Sequence, residues 1–120
     1  MIQGGVVTIY VSDMQRAVDF YAHVLGLRLL FRADDHWAQL DAGGLQIGLH
    51  PASDSGPAPG TPGAITLGLA VSAPIADAVA ALESKHVAVA GPVPGGGGIK
   101  LAFFTDPDGN PLYLAEAPSR

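Results

Sequence analysis

The chain carries an internal repeat, and this repeat limits the folds that it can adopt. Residues 7–11 alternate β-branched and aromatic side chains as a strand does, and a similar segment, residues 65–69, follows 58 positions later. After each segment comes a stretch with the apolar periodicity of a helix, and then three further strand-like stretches. The sequence therefore predicts two β-α-β-β-β modules.

The two predicted helices have different start signals. The first begins at Ser12 or Asp13, whose side chains accept hydrogen bonds from free N–H groups at a helix start, and Gly26 ends it. The second begins near Ser72, with Pro74 in its first turn. Each helix turns one apolar face to the core. These faces are formed by Met14, Ala17, Val18, Tyr21, Val24 and Leu25, and by Ile75, Ala78, Val79, Leu82 and His86.

The remaining strands complete one α+β domain. They are predicted at residues 27–32, 36–40, 45–50, 87–93, 99–105 and 111–116. Turns rich in Gly, Asp and Pro separate them. Residues 51–62, rich in Pro, Gly and Ser, are predicted to link a first module (residues 1–50) to a second (residues 63–120).

Composition and charge argue against several classes of partner and site. Of the 120 residues, 48% are hydrophobic and 14% are charged, as in a folded domain. The net charge is −5 and no basic run exists, which argues against nucleic acids and membranes as partners. The absence of Cys excludes disulfides and thiolate metal ligands. Four Pro and four Gly interrupt the longest uncharged stretch, residues 55–76, and no signal segment is visible, so we expect a cytoplasmic protein.

In four predicted strands one face is aliphatic and the other is small, polar or aromatic. Because successive side chains of a strand point to opposite sides of the sheet, the aliphatic faces cover the helices. The other faces consist of Val6, Thr8, Tyr10, Gln46, Gly48, His50, Ala64, Thr66, Gly68, Pro111, Tyr113 and Ala115. The small residues leave space for a ligand groove, and a simply solvated face is the alternative. Trp37 and Tyr113, as large aromatic side chains, favour the groove.

Two motifs accompany the repeat. The first runs Val11-Ser12-Asp13, Phe20-Tyr21 and Leu25-Gly26, and the second is Asp106-Pro107-Asp108-Gly109-Asn110-Pro111. In this order they resemble the vicinal oxygen chelate superfamily, which includes glyoxalases, extradiol dioxygenases and bleomycin-resistance proteins. The resemblance extends over nearly the whole chain. It implies an open, cupped mixed sheet with the helices on its outer face, commonly completed by a homodimer.

The resemblance also identifies where a metal would be bound. Enzymes of the superfamily usually take one ligand from the first and last strand of each module, which places the four positions at Val6, Gly48, Ala64 and Tyr113. Those enzymes carry His, Gln or Glu there, whereas three of the residues here have no donor atom and neutral Tyr is a poor ligand. We therefore expect no metal and no cofactor, as in the bleomycin-resistance branch, whose proteins sequester a drug in the cavity.

The candidate ligand-binding residues are Trp37, Tyr113, His50, Tyr10, Thr8, Gln46, Gly48 and Phe104. Trp37 can stack on a planar aromatic ligand; a core or dimer-interface position is the alternative. The hydroxyl of Tyr113 can donate to a ligand carbonyl, unless the ring serves packing alone. His50 can hydrogen-bond a ligand or act as a general base. The alternative is that it is a partly exposed histidine at a strand end without such a role. Of Phe103 and Phe104, one is expected in the core and the other in the cavity.

Three functions follow, in the order in which the sequence supports them. The first is a metal-independent homodimer that binds and sequesters an aromatic or planar natural product or antibiotic. The second is a cofactor-free enzyme of natural-product metabolism with His50 and Tyr113 as its acid–base pair. The third is a metal-dependent glyoxalase-like lyase or dioxygenase with unusual ligands.

Overall fold

The structure, a computed structural model, describes residues 6–54, 56–62, 64–72 and 74–118. The predicted module boundary at residue 63 lies outside the described residues. The β-α-β-β-β order occurs twice in the described part of the chain. The first module contains β1 (Val6–Val11), helix α1, β2 (Arg28–Ala33), β3 (Trp37–Asp41) and β4 (Gln46–Pro51). The second contains β5 (Leu67–Ala70), α2 (Ile75–Ser84), β6 (Ala90–Pro94), β7 (Lys100–Thr105) and β8 (Pro111–Glu116).

Helix α1 begins and ends where its sequence signals predict. The side chain of the N-cap residue Asp13 accepts a hydrogen bond from the backbone N–H of Arg16 at 3.0 Å. Met14–Val18 is α-helical, and Asp19–Val24 continues it as a π-helical segment. Gly26 follows with a φ of 76°, the left-handed conformation that favours glycine at a helix end.

Helix α2 is shorter at its C-terminal end than predicted. Pro74 is its N-cap, and the Glu116 carboxylate on β8 accepts a hydrogen bond from the Ile75 N–H at 2.6 Å. His86, predicted on the apolar face, lies beyond the helix with an exposed side chain and a φ of 67°. The prediction for His86 is wrong because the N–H groups of Lys85 and His86 bond to carbonyls three residues back, which tightens and ends the helix.

The strands form two open, mixed sheets of four strands each. Their orders are β1-β4-β3-β2, called sheet A, and β5-β8-β7-β6, called sheet B. In each sheet the first and last strands of the module pair in parallel, and the other pairs are antiparallel. This confirms the α+β fold with a mixed, open sheet. Neither helix of the described ranges is long and apolar enough to cross a membrane.

One continuous core joins the two modules. It includes the aliphatic faces of both sheets, among them Ile9, Leu40, Ile47, Leu49, Ala102, Leu112 and Leu114. Phe20 of α1 contacts Phe104 of β7, with ring centroids 6.4 Å apart. Because the aliphatic faces of both sheets contribute to this common core, their opposite faces lie on the outside of the chain and do not face each other.

A buried polar cluster links α1 to the turn between β7 and β8. The Asp106 carboxylate accepts hydrogen bonds from the Tyr21 hydroxyl at 2.8 Å, the Asn110 side chain at 2.9 Å, and the backbone N–H groups of Asp108 and Asn110 at 3.0 and 2.8 Å. Burial, followed by the charges of Asp106 and Asp108, raises the pKa of Tyr21 far above its usual range. The Ser12 hydroxyl donates to Asp108 at 2.5 Å. The Asp106-Pro107-Asp108-Gly109-Asn110 motif therefore holds the two modules together.

Candidate ligand-binding site

The strand register defines the side chains on the face of sheet A that points away from the core and the helices, called cup face A. They are Val6, Thr8 and Tyr10 from β1, Gln46, Gly48 and His50 from β4, Trp37, Gln39 and Asp41 from β3, and Arg28, Phe31 and Ala33 from β2. Six of the eight predicted ligand-binding residues therefore share this face. Thr8 is exposed, Gly48 is buried, and Tyr10, Trp37, Gln46 and His50 are half-buried.

The Trp37 side chain covers Gly48 of the neighbouring strand. A Cβ atom at Gly48 would overlap Trp37 Cη2 and Cζ2, so only glycine allows this indole position. The indole Nε1 donates a hydrogen bond to Gln39 Oε1 at 3.1 Å, and Gln39 Nε2 donates to Gln46 Oε1 at 2.5 Å. The indole is thus fixed beside the sheet in a half-buried position, where a second flat ring can stack on it.

His50 completes an aromatic cluster on the same face. Its ring centroid lies 5.0 Å from that of Tyr10 and 6.2 Å from that of Trp37. His50 Nδ1 lies 2.7 Å from the carbonyl oxygen of Pro51. Because a carbonyl oxygen only accepts, Nδ1 carries the hydrogen, and Nε2 of the neutral ring is a hydrogen-bond acceptor.

The corresponding face of sheet B, which also points away from the core and the helices, is called cup face B and repeats this arrangement. It consists of Gly68 and Ala70 from β5, Pro111, Tyr113 and Ala115 from β8, Leu101, Phe103 and Thr105 from β7, and Ala90 and Val93 from β6. A Cβ at Gly68 would overlap the Tyr113 ring, as one at Gly48 would overlap Trp37. The rings of Phe103 and Tyr113 lie 6.2 Å apart.

The placement of Phe104 corrects one of the predicted site residues. Phe104 is only 5% exposed and packs in the core against Phe20, whereas Phe103 is 44% exposed. Phe103 pairs with Tyr113 across the β7–β8 ladder and so shares its face. Phe103, and not Phe104, therefore belongs to cup face B.

His50 and Tyr113, the predicted acid–base pair, lie on different cup faces. Among the described residues no contact joins them, because His50 belongs to sheet A and Tyr113 to sheet B. A single chain therefore does not bring this pair together.

Five residues of cup face A are not among the predicted site residues: Arg28, Phe31, Ala33, Gln39 and Asp41. Gln39 could have been found, because it lies two positions after Trp37 in the same strand and so points to the same side. The sequence leaves the face of Phe31, which is 53% exposed, undecided, because β2 contains an irregularity between Leu29 and Phe31 that shifts the alternation of its side chains.

The strand registers also correct one of the four inferred metal positions. In the first module Gly48 pairs with Thr8, which lies two residues after Val6. In the second module Tyr113 pairs with Gly68. When Gly48 is aligned with Tyr113, the residue equivalent to Val6 is therefore Thr66, two residues before Gly68. Ala64, the position inferred from the repeat, precedes β5 and lies in a turn. The repeat alone misplaces this residue because its offset is 58 positions, whereas the registers relate Thr8 to Gly68, which lies 60 positions later.

The donor set at these four positions does not fit a catalytic divalent metal. Val6 and Gly48 offer no side-chain donor, and Thr66 and Tyr113 offer neutral hydroxyls, where zinc, manganese or iron sites use imidazole and carboxylate groups. The indole of Trp37 also fills the space beside Gly48. In the described ranges, no three His, Asp or Glu side chains lie close enough together to hold a metal ion.

Comparison with protein families establishes where this fold belongs. The sequence matches the Glyoxalase/Bleomycin resistance protein/Dioxygenase superfamily over residues 5–114. The chain belongs to this superfamily. The family resemblance of the two motifs is thereby confirmed. Among curated proteins, none matches the sequence.

Several solved structures superpose closely on the chain. TnmS3, an antibiotic binding protein from Streptomyces sp. CB03234, is 30% identical over 99% of this chain and 98% of its own, with a TM-score of 0.82. A glyoxalase/bleomycin resistance protein from the same Streptomyces is 32% identical over 93% and 98%, with a TM-score of 0.73. Virulence protein STM3117 from Salmonella typhimurium is 26% identical over 97% of both chains, with a TM-score of 0.76.

Proposed function

We propose that the protein binds a flat aromatic molecule, an antibiotic or another natural product, without a metal, and sequesters it. The observation that carries this proposal is the position of Trp37 over Gly48, where metal-dependent relatives would have a ligand. Tyr113 over Gly68 gives the second sheet an equivalent aromatic surface. The similarity to TnmS3, described as an antibiotic binding protein, supports the same class of ligand.

Stacking on Trp37 supplies the main attraction in this proposal. A pair of stacked aromatic rings contributes about 0.5–1.5 kcal/mol beyond the area that it buries. The Trp37–Gln39 hydrogen bond holds the indole in place before the ligand arrives, so little rotational freedom is lost on binding. Binding alone then lowers the free concentration of the ligand.

We further propose that a homodimer closes the site. In one chain the two cup faces lie on the outside, and each exposes large apolar side chains: Phe31 (53%) on cup face A and Phe103 (44%) and Val93 (41%) on cup face B. In a two-fold symmetric dimer, cup face A of one subunit can lie against cup face B of the other. This arrangement would cover the exposed apolar side chains of both faces and form two equal cavities. Each cavity would hold Trp37 from one subunit and Tyr113 from the other.

Trp37 fluorescence provides the test, because it is the only tryptophan of the chain. We expect flat aromatic antibiotics to quench its emission in the presence of a chelator. In calorimetry, Trp37→Leu should weaken binding about 5- to 10-fold through the lost stacking energy. His36→Ala, which changes an exposed residue beside Trp37, is the matched control and should bind normally.

Two results would count against this function. If no compound of a broad aromatic panel changes the emission, the sequestration proposal fails. If the bound compound is converted to a product, the protein is instead the cofactor-free enzyme. His50, with Tyr113 of the partner subunit, would then be the group to test by substitution.

A further inference from the structure

The hydrogen bonds along cup face A have a fixed direction. The indole N–H of Trp37 can only donate, so the side-chain oxygen of Gln39 must face it, at 3.1 Å. The amide nitrogen of Gln39 then donates to Gln46 Oε1 at 2.5 Å. Gln46 therefore ends the chain of bonds with its amide nitrogen, whose two hydrogens have no protein acceptor among the described residues.

The other end of the same strand presents an acceptor. His50 Nδ1 donates to the Pro51 carbonyl, which leaves the lone pair of Nε2 without a protein donor in the described part of the chain. Gln46 and His50 both belong to β4 and point to cup face A, four residues apart. Four residues of strand span about 13 Å, with Gly48 and the covering indole of Trp37 between them.

We infer that the ligand is a flat, elongated ring system with a carbonyl that accepts from Gln46 and, at its other end, a hydroxyl that donates to His50. This inference rests on the proposed function and names the class of ligand for the same site. A ligand that stacks on Trp37 displaces water from both polar groups, and a molecule that does not replace those hydrogen bonds binds more weakly. Gln46 and His50 thus select among flat molecules that stack equally well on Trp37.

A matched series of ligands tests this assignment by calorimetry with the full-length protein. 4′-Hydroxyflavone carries a carbonyl and a distal hydroxyl, flavone carries the carbonyl alone, and 2-phenylnaphthalene has neither. We expect affinity to fall in this order, by about 5-fold for each hydrogen bond lost. Gln46→Glu replaces the donor by an oxygen of the same size and should bring flavone to the affinity of 2-phenylnaphthalene.

Further variants separate the two ends of the site. His50→Phe should abolish the advantage of 4′-hydroxyflavone over flavone and leave flavone unchanged. Gln46→Met removes the donor without adding a charge and should act in the same direction as Gln46→Glu. Gln15→Glu, the same chemical change on the exposed surface of α1, is the control for charge and should leave all three affinities unchanged.

The outcomes distinguish this inference from the function on which it rests. If all three ligands bind equally, or if Gln46→Glu weakens all three by the same factor, the assignment of a donor at Gln46 and an acceptor at His50 is wrong. The proposal that the ligand stacks on Trp37 is then unaffected. If none of the three binds, both the polarity and the stacking proposal are wrong.

Discussion

Tyr21→Phe tests how the two modules are held together. The Tyr21 side chain is fully buried, and its hydroxyl donates to Asp106 at 2.8 Å across 85 positions of sequence. The substitution removes one donor from a buried carboxylate that keeps three others, from Asn110 Nδ2 and two backbone N–H groups. A hydrogen bond to a charged group contributes about 1.5–3 kcal/mol, and the three remaining donors favour the lower end, about 1.5–2 kcal/mol.

Urea unfolding followed by Trp37 fluorescence measures this change at a fixed protein concentration. We expect a lower midpoint with an unchanged slope, and a melting temperature reduced by roughly 5–10 °C. Tyr113→Phe is the control, because the Tyr113 hydroxyl has no hydrogen-bond partner among the described residues and should change stability by less than about 0.5 kcal/mol. A loss in Tyr21→Phe no larger than in Tyr113→Phe would refute the role of the Tyr21–Asp106 link.

Three further predictions concern the site, the buried phenol and the assembly. Gly48→Ala should push the Trp37 ring off the sheet, shift its emission to longer wavelength and weaken ligand binding about 5- to 10-fold, as Trp37→Leu does. Unchanged emission would show that the indole does not lie over Gly48. Because burial raises the pKa of Tyr21 in the folded state, the contribution of Tyr21 to the free energy of unfolding should be fully present below a pH of about 10, the unfolded pKa, and be lost as the pH rises above it. The absorbance of ionised Tyr21 should appear only when the protein unfolds at high pH. If the Tyr21→Phe variant unfolds at the same alkaline pH as the wild-type protein, this prediction is wrong. Light scattering should give a dimer that Phe31→Asp dissociates, and a monomeric wild-type protein would remove the dimer proposal.

The repeat, the start of α1 and the aliphatic faces of the strands are predictable from sequence because each depends on neighbouring residues, whereas α2 begins at Ile75, three residues after the predicted Ser72. Asp13 and Gly26 act through hydrogen bonds and backbone angles within a few positions. The alternation in β1, β4 and β8 needs only the two-residue period of a strand. Most of cup face A, including Trp37, His50 and Gln46, was therefore found without a structure.

The remaining features depend on long-range packing. Phe103 and Phe104 are both aromatic, so only the β7–β8 register decides which of them faces the core. The face of Phe31 cannot be assigned from the sequence, because an irregularity in β2 shifts the alternation of its side chains. The Tyr21–Asp106 hydrogen bond joins the two modules, and nothing local to either residue predicts it. The outward position of both cup faces likewise follows from the shared core and not from either module alone.

In the proposed function, an aromatic surface at Trp37 replaces a metal site. Calorimetric titration of a flat aromatic ligand into protein stripped with a chelator, and into the same protein supplied with zinc, manganese or iron(II), tests it most directly. We expect the same affinity and stoichiometry in both, and no stoichiometric metal on the protein. Binding that appears only with metal, together with one bound metal ion per site, would contradict it.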